Sequence, residues 1–531
     1  MGLKETFHET LENAVSKFVS RFESLVTGVL SGFDRLVFRG TLLPLMMRRG
    51  MHTHLFENDV RLLDYKDYAL ATSEKVKAAA LAETRAAGRP ALYLRSSRDS
   101  KEELARSILA EQPTEQGPIC ALTAVEPCQS FEYLRSKDTT ERGLRLAPRK
   151  CLHVYQYRIH PRFGFMNARL QTWFPFSIQI CMNGREWLSR QLTEAGIGFR
   201  RYDNCFPHID DIPRAQQLLD DQLKTAWPEA LDEIARLLNP RHGEIFAANP
   251  MDYYWSAYQT EWATDVMFRD PEALASLYPA LVRHAMHHFQ SPDVMRFLGR
   301  KLHPNFQGEV TTSYKHRLEG ARVKHWANGN SVKMYDKGGN ILRVETTMAR
   351  FSDFKVMRPP HDDPDGKLDW RPMRKGVADL HRGAEIAQRS NERYLDALSV
   401  VDDTTPLGDI FDQVNQPVTW KDKRVRALRV GDHEDLALLA VISRGEFTTA
   451  GFRNRDLRAL LRPDSLDATP AEVRKVSARI GRLLRMLRAH GLIQKIPKTH
   501  RYKLTAKGVQ LAAAIAAARG ANLKLLLREA A

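Results

Sequence analysis

The chain reads as an α+β protein of several domains. It has an N-terminal α/β region, a central domain of β-hairpin units with helices, and a C-terminal helical module closed by a short hairpin. Three observations predict this. The 531 residues exceed what a single core usually organises. Blocks of period-2 alternation and blocks of helical periodicity follow one another along the chain. Residues 332–346 alternate apolar and polar side chains around Lys337-Gly338-Gly339-Asn340, which is hairpin turn chemistry.

Taken in order, residues 5–30 carry apolar side chains at helical spacing, from Phe7, Leu11 and Val15 to Leu25, Val26 and Leu30, and predict an amphipathic helix. Residues 32–40 read as a short strand between glycines, with Asp34, Arg35 and Arg39 at its ends. A helical region runs to about Ala87. A strand at 91–94, a helix from Ser100 to Ala110 and a strand at 118–125 then form a βαβ pattern, with Ser100 and Glu103 as a capping box. The apolar strands suggest a small buried parallel sheet. The region contains no phosphate-cradling glycine loop of the GxGxxG or GxxxxGK[ST] type, which argues against a nucleotide-hydrolysing engine.

Residues 151–206 predict three strands and a helix. The pattern Val154-x-x-Tyr157, turn, Arg169-Leu170-Gln171-Thr172 parallels Val332-x-x-Tyr335, turn, Arg343-Val344-Glu345-Thr346. Phe176–Ile180 likewise parallels Phe354–Met357. Two readings stay open: a duplicated unit, or a short chance similarity. In the duplicated reading only the second copy keeps a carboxylate, Glu345, where the first has Gln171. Residues 206–303 read as mostly helical. On a helix, Tyr254, Tyr258, Glu261 and Asp265 share one stripe. A His284/His288 pair at i,i+4 lacks a companion acid motif and reads as structural. The domain boundaries expected are 1–150, 151–400 (with hairpin units at 151–206 and 320–358), a linker at 401–434, and a terminal module at 435–531.

The net charge of +16 and the pI near 9.6 point to a polyanionic partner, DNA or structured RNA. Five cysteines without a CxxC pair look like reduced thiols of a cytoplasmic protein. No apolar run approaches the roughly 18 residues of a membrane span, so no membrane partner is expected. Lys4, Glu5 and Glu9 precede any apolar run, which does not fit a secretory signal.

In the terminal module, Leu484-x-x-Leu487-Arg488-x-x-Gly491-Leu492-Ile493 followed by Arg501-Tyr502-x-Leu504-Thr505-x-x-Gly508 resembles the winged helix-turn-helix domains of MarR-type regulators. The resemblance covers about 435–520. It implies that Arg474, Lys475, Arg479 and Arg482 face nucleic acid from the third helix, and that Lys495, Lys498, His500, Arg501 and Lys503 do so from the wing. The central Val332-Lys333-Met334-Tyr335-Asp336-Lys337 and Leu342-Arg343-Val344-Glu345 look like a hairpin of the rolling-circle replication initiators of plasmids and filamentous phages. That resemblance covers about 15 residues and implies metal-dependent nicking and joining of DNA by a tyrosine, in a protein of a mobile element. The histidine-hydrophobic-histidine pattern of many such enzymes is not reproduced here.

Nicking chemistry requires an activated oxygen nucleophile, positive charge at the phosphate and a divalent ion. The residues available are Tyr254 or Tyr258 as nucleophile, Lys333, Lys337 and Arg343 as a phosphate clamp, with Lys333 and Glu345 in the catalytic set. Glu261, Asp265 and Glu345 are the expected ligands of Mg²⁺ or Mn²⁺. Two other readings stay open. One is a non-enzymatic binder of structured RNA or DNA that tolerates Glu345→Gln. The other is a winged-helix transcriptional regulator acting as a symmetric dimer on a palindromic site.

Overall fold

A computed structural model describes residues 17–135, 142–300, 308–317, 320–360, 362–363, 365–401, 411–443, 447, 451–463, 469–496, 499–505, 507–508, 511–512 and 514–515. In chain order, the first half comprises α1 (Lys17–Arg21), β1 (Val26–Thr41), α2 (Arg48–Glu57), α3 (Tyr65–Ala86), β2 (Ala91–Tyr93), α4 (Lys101–Glu111), β3 (Gly117–Arg135), β4 (Arg142–His160), β5 (Gly164–Gln171), β6 (Ile178–Asn183), α5 (Gly184–Glu194), β7 (Phe199–Tyr202), β8 (Cys205–Ile209), α6 (Ile212–Gln222), α7 (Trp227–Leu238) and α8 (His242–Ile245). The second half comprises β9 (Tyr254–Phe268), α9 (Pro271–His287), α10 (Ser291–Phe297), β10 (Val310–Arg317), β11 (Gly320–Ala327), β12 (Asn330–Lys337), β13 (Ile341–Met348), β14 (Lys355–Arg358), β15 (Asp369–Pro372) and α11 (Leu380–Leu398). A terminal unit follows: β16 (Val418–Trp420), β17 (Lys423–Val425), α12 (His433–Ile442), α13 (Asn454–Leu461), α14 (Pro470–Ala489), β18 (Ile493–Lys495) and β19 (Tyr502–Leu504).

The mixed α and β chain is built on one 11-stranded sheet in the order β10-β11-β12-β13-β9-β1-β6-β5-β4-β3-β2. The order is nearly symmetric about the β1–β9 ladder. Each half has a long strand at the seam, intervening helices, and then a four-strand antiparallel meander whose last strand returns to pair with the seam strand. Short sequences at the seam are similar as well: Asp34-x-x-x-Phe38-Arg39 on β1 and Asp265-x-x-Phe268-Arg269 at the end of β9. A register shift between Phe33 and Arg35 leaves Asp34 as a bulge in β1.

This topology corrects the expected repeat. Strand order makes β12 and β13 the counterparts of β5 and β6, not of β4 and β5. Gln171, on β5, therefore does not sit where Glu345 sits on β13. Phe354–Met357 lies not in the main sheet but at β14, in a separate hairpin with β15. Hydrogen bonding also crosses the boundary expected at 150, because β3 and β4 form one long ladder. The βαβ pattern is present as the parallel β2–β3 pair around α4, with Ser100 capping Glu103, but β2 is an exposed edge strand.

The helix expected at 252–266 is a strand, β9, from Tyr254. Of the helix expected over 5–30, residues 5–16 lie outside the described residues, 17–21 form α1, and β1 begins at Val26. Tyr, Trp, Thr and Val favour the pleated surface. At the sheet centre both faces of β9 are buried from Trp262 onward, which erases the alternation that marks a strand. Behind the sheet at this point lies α11. Gln388 accepts from the Trp262 indole at 2.7 Å, and Asn391 donates to the Trp262 carbonyl and the Thr264 hydroxyl, both at 3.1 Å. The terminal unit has its own core, which includes Val414 and Leu428 from the expected linker.

Candidate functional site

Opposite α11, the pleat of β12, β13 and β9 presents one row of charged side chains. Lys333 faces Glu345 across β12–β13, Tyr335 faces Arg343, and Arg343 faces Asp265 across β13–β9. Glu261 joins the same face two pleats from Asp265 and is the register partner of Arg35 on β1. The irregularity at Asp34 turns that carboxylate onto this face too. Carboxylate oxygens of Asp34, Glu261 and Glu345 lie within 4.8 Å of one another.

Each acid of this trio is held from outside. Lys333 Nζ stands 2.6 Å from Glu345 Oε1 and 3.9 Å from Glu261 Oε2. The Tyr335 hydroxyl donates to Glu345 Oε2 at 3.0 Å, and the Gln259 amide donates to Glu261 at 2.8 Å. Asn204, at the turn of the β7–β8 hairpin, donates to both oxygens of Asp34 at 2.7 and 2.8 Å. Asp203 beside it takes a left-handed backbone (φ 50°), which Asp tolerates in turns, and accepts from Lys337 at 2.7 Å. The hairpin thus roofs the site from two points.

Beneath it is a fully buried ion cluster. Arg343 donates to Asp265 from Nε at 2.5 Å and Nη2 at 2.8 Å, and Arg185, at the start of α5, stands 3.1 Å from Asp265. Arg343 Nη1 is also 3.4 Å from Asp34. Such pairs hold only because each charge is compensated. Arg185, Lys333 and Arg343 face Asp34, Asp265, Glu261 and Glu345, and Lys324 and Arg35 act on the acids from the neighbouring strands.

The acids respond differently. Burial pushes Glu345 above the ordinary carboxylate range despite Lys333, and burial pushes Asp34 up as well. Burial also opposes ionisation of Asp265, but Arg343 and Arg185 outweigh it and hold Asp265 low. Lys333 is held above its usual value: burial works against its charge, and Glu345 and Glu261 more than restore it. An all-oxygen donor set of three converging carboxylates suits a hard divalent cation such as Mg²⁺ or Mn²⁺. Lys333 competes with such an ion for Glu345.

Of the residues singled out from sequence, Lys333, Arg343, Glu345, Glu261 and Asp265 converge. Asp265 is taken up by two arginines, and Asp34 stands with Glu261 and Glu345 in the acidic trio. Asp34 was visible only as a polar residue in an apolar stretch, since nothing local marks its bulge. Tyr254 and Tyr258 lie on a strand and not on a helix stripe with Glu261. Along β9 they are about 23 and about 10 Å from Glu261 at strand rise. They are 46% and 53% exposed, and the phenol that touches the trio is Tyr335. Burial drives Tyr335 well above the ordinary phenol range, so it donates to Glu345 as a neutral hydroxyl.

In the terminal unit Arg474, Lys475, Arg479 and Arg482 are exposed along α14, and Lys495, His500 and Lys503 are exposed on β18–β19 and their connection. Arg479 is tied to Glu434 at 2.6 Å, and Arg501 donates to the Gly451 carbonyl at 2.9 Å. Lys498 lies outside the described residues. His284 and His288 stack with centroids 4.7 Å apart, and burial lowers His284 to about 4, in keeping with a packing role. No helix among the described residues is long and apolar enough to cross a membrane. Comparison with protein-family models, curated proteins and solved structures finds no match to this chain.

Proposed function

We propose that this protein binds nucleic acid and cleaves a phosphodiester bond with a divalent ion held by Asp34, Glu261 and Glu345, in the manner of a replication initiator. The observation that carries this reading is the convergence of three carboxylates from three strands beside Lys333. The net charge of +16 supports a polyanionic substrate. Mg²⁺ or Mn²⁺ there would polarise the phosphate and stabilise the charge that develops on it. Lys333 neutralises a non-bridging phosphate oxygen. Arg343 and Arg185 fix Asp265, and through Arg343 also position Asp34. Tyr258 is the exposed phenol closer along β9, and we assign it the attack in preference to Tyr254: the tyrosyl oxygen bonds phosphorus as the P–O3′ bond breaks, the phenol gives its proton to solvent, and the leaving 3′ oxygen takes one from solvent to become the free strand hydroxyl.

The terminal unit supports a winged-helix reading. Three helices, a two-stranded hairpin and an exposed cationic face on α14 occur in the expected order. In this reading it selects the site while the large sheet performs the reaction. The reading of a non-enzymatic binder draws on the Lys333–Glu345 and Tyr335–Glu345 contacts, which satisfy Glu345 without an ion.

The test is incubation with single-stranded DNA and RNA in Mn²⁺ or Mg²⁺, followed by denaturing electrophoresis. Cleavage that is lost in Glu345→Gln and Asp34→Asn is expected, with a protein-linked 5′ end that disappears in Tyr258→Phe. Tight binding without cleavage in either metal overturns the catalytic part. Cleavage without an adduct reassigns the nucleophile to water.

A further inference from the structure

Next to the trio, across β1, the same face of the sheet opens into a cavity of about 270 Å³ between β1, β4, β5, β6 and the start of α4. We propose that this cavity seats one nucleotide of the bound strand, with its phosphate on Arg35. The proposal rests on the reading just given for the polymer, while the cavity itself is a mononucleotide site that can be examined alone.

The cavity is the size of a single small ligand, close to the lower end of small-molecule pockets at roughly 300 Å³. Its wall is polar: Arg35, Lys101, Tyr155, Asn167, Arg169 and Gln179 all line it. Positive charge is in excess. Lys101 and Arg169 share one carboxylate, Glu126, at 3.0 and 3.5 Å. Glu102 also lines the cavity but is taken by Arg106 at 2.8 Å. Among the described residues Arg35 has no carboxylate within salt-bridge distance, and its Nε points at the Cys181 sulfur at 3.4 Å. Arg35 is exposed at the cavity mouth, with Glu261 and Glu102 acting on its charge from beyond contact distance, so its guanidinium is open to a phosphate.

The remaining groups suit a base and sugar. Gln179 accepts from Arg169 at 3.2 Å, which leaves its amino group to donate. The Asn167 amide makes no side-chain hydrogen bond among the described residues and so offers both a donor and an acceptor. Such amides pair with base edges. Tyr155 is anchored by its hydroxyl, which donates to Glu126 at 2.6 Å, and the ring lies near Lys101 and Arg169 (5.0 and 5.7 Å). Lys101 and Arg169 sit over the ring, so Tyr155 holds the two cations at the cavity wall, where they can face a phosphate or base.

Position links the cavity to the chemistry. Arg35 follows Asp34 directly and is the register partner of Glu261. Counting strands from β9 through β1 and β6 to β5, Asn167 lies about 14 Å across the sheet from Glu261 and two residues along it, about 16 Å in all. A strand crossing the trio would run over this cavity.

The test measures binding of the four nucleoside 5′-monophosphates, the matching nucleosides and inorganic phosphate to the full-length protein by calorimetry. At least one monophosphate should bind, its nucleoside at least tenfold more weakly. Arg35→Ala should cost tenfold or more and Arg35→Lys less. Asn167→Asp, which sets a carboxylate in the cavity, should also weaken binding tenfold. Thermal unfolding of each variant separates lost binding from lost folding, and competition between monophosphate and oligonucleotide on the unaltered protein needs no variant. Absence of monophosphate binding at millimolar concentration overturns the proposal, as does binding indifferent to both Arg35→Ala and Asn167→Asp. Phosphate binding as well as the monophosphates do overturns the nucleotide assignment. Nucleotide binding in a protein that neither holds nor cuts nucleic acid leaves the cavity standing and removes the preceding reading. Cleavage without nucleotide binding does the reverse.

Discussion

Lys333 and Glu345 face each other across β12 and β13, with Nζ 2.6 Å from Oε1 and the Glu345 side chain fully buried. Removing the lysine strands a charge in a low-dielectric site, which costs about 3–5 kcal/mol when the charge cannot adapt. Glu345 can adapt by taking a proton, since burial already raises its affinity for one. Lys333→Ala is therefore expected to destabilise by about 3 kcal/mol near neutral pH and by less as pH falls. Urea unfolding at several pH values checks this, and a pH-independent loss would show that Glu345 stays ionised.

Asp265 and the trio should separate under mutation. Asp265→Asn leaves Arg343 and Arg185 short of their shared counterion and should cost about 3–5 kcal/mol. Where the variant folds, it should still bind Mn²⁺. Asp34→Asn, Glu261→Gln and Glu345→Gln should each lose it. Electron paramagnetic resonance of Mn²⁺ reads the difference, and Asp265→Asn behaving like the other three would return Asp265 to the ligand set.

Metal should stabilise the fold in proportion to its affinity. At a free concentration a hundred times Kd the gain is about 2.7 kcal/mol. The ion needs ionised carboxylates, and burial raises Glu345 above its ordinary 4.5 and Asp34 above 3.8. Affinity should fall as pH drops through those raised values. In the metal-free protein the sign is opposite. A raised carboxyl holds its proton more tightly when folded, so its contribution is fully present below the unfolded pKa and is lost as pH rises through the folded one. Stability of Glu345→Gln relative to the unaltered protein should thus improve upward from pH 4.5. Unfolding free energies with EDTA and with Mn²⁺ across pH 4–8 test both slopes.

The α14 face should control salt dependence. Arg482→Ala and Lys475→Ala should each reduce the slope of log K against log salt by about 0.9 on duplex DNA. Arg479→Ala should do less, because Glu434 already occupies its guanidinium. Equal slopes for all three would place the nucleic acid elsewhere.

Much of this layout was legible in the residues, and the rest was hidden for definable reasons. The β12–β13 hairpin, α5, α14 and the order of the terminal elements follow from local turn, cap and periodicity signals. So did the partnership of Lys333, Arg343 and Glu345, because register follows from a tight turn. What failed was long-range. A central strand buried on both faces, β9, carries no alternation, so its acids were placed on a helix. Asp34 needed a bulge and a ladder more than 200 residues away in sequence to reach Glu261 and Glu345. The sequence similarity pairs β4–β5 with β12–β13, one strand out of step with the topology, since hairpins resemble each other locally and only the seam strands fix which is which.

The β1–β9 seam divides the trio. Asp34 belongs to the first half, and Glu261 and Glu345 belong to the second. Neither half alone holds all three carboxylates, so the trio exists only where the two halves meet. A chain cut in the segment between α8 and β9 would have to regain it by complementation, with a yield that depends on fragment concentration as a bimolecular encounter does. The single covalent crossing between the halves makes that encounter unimolecular and permanent.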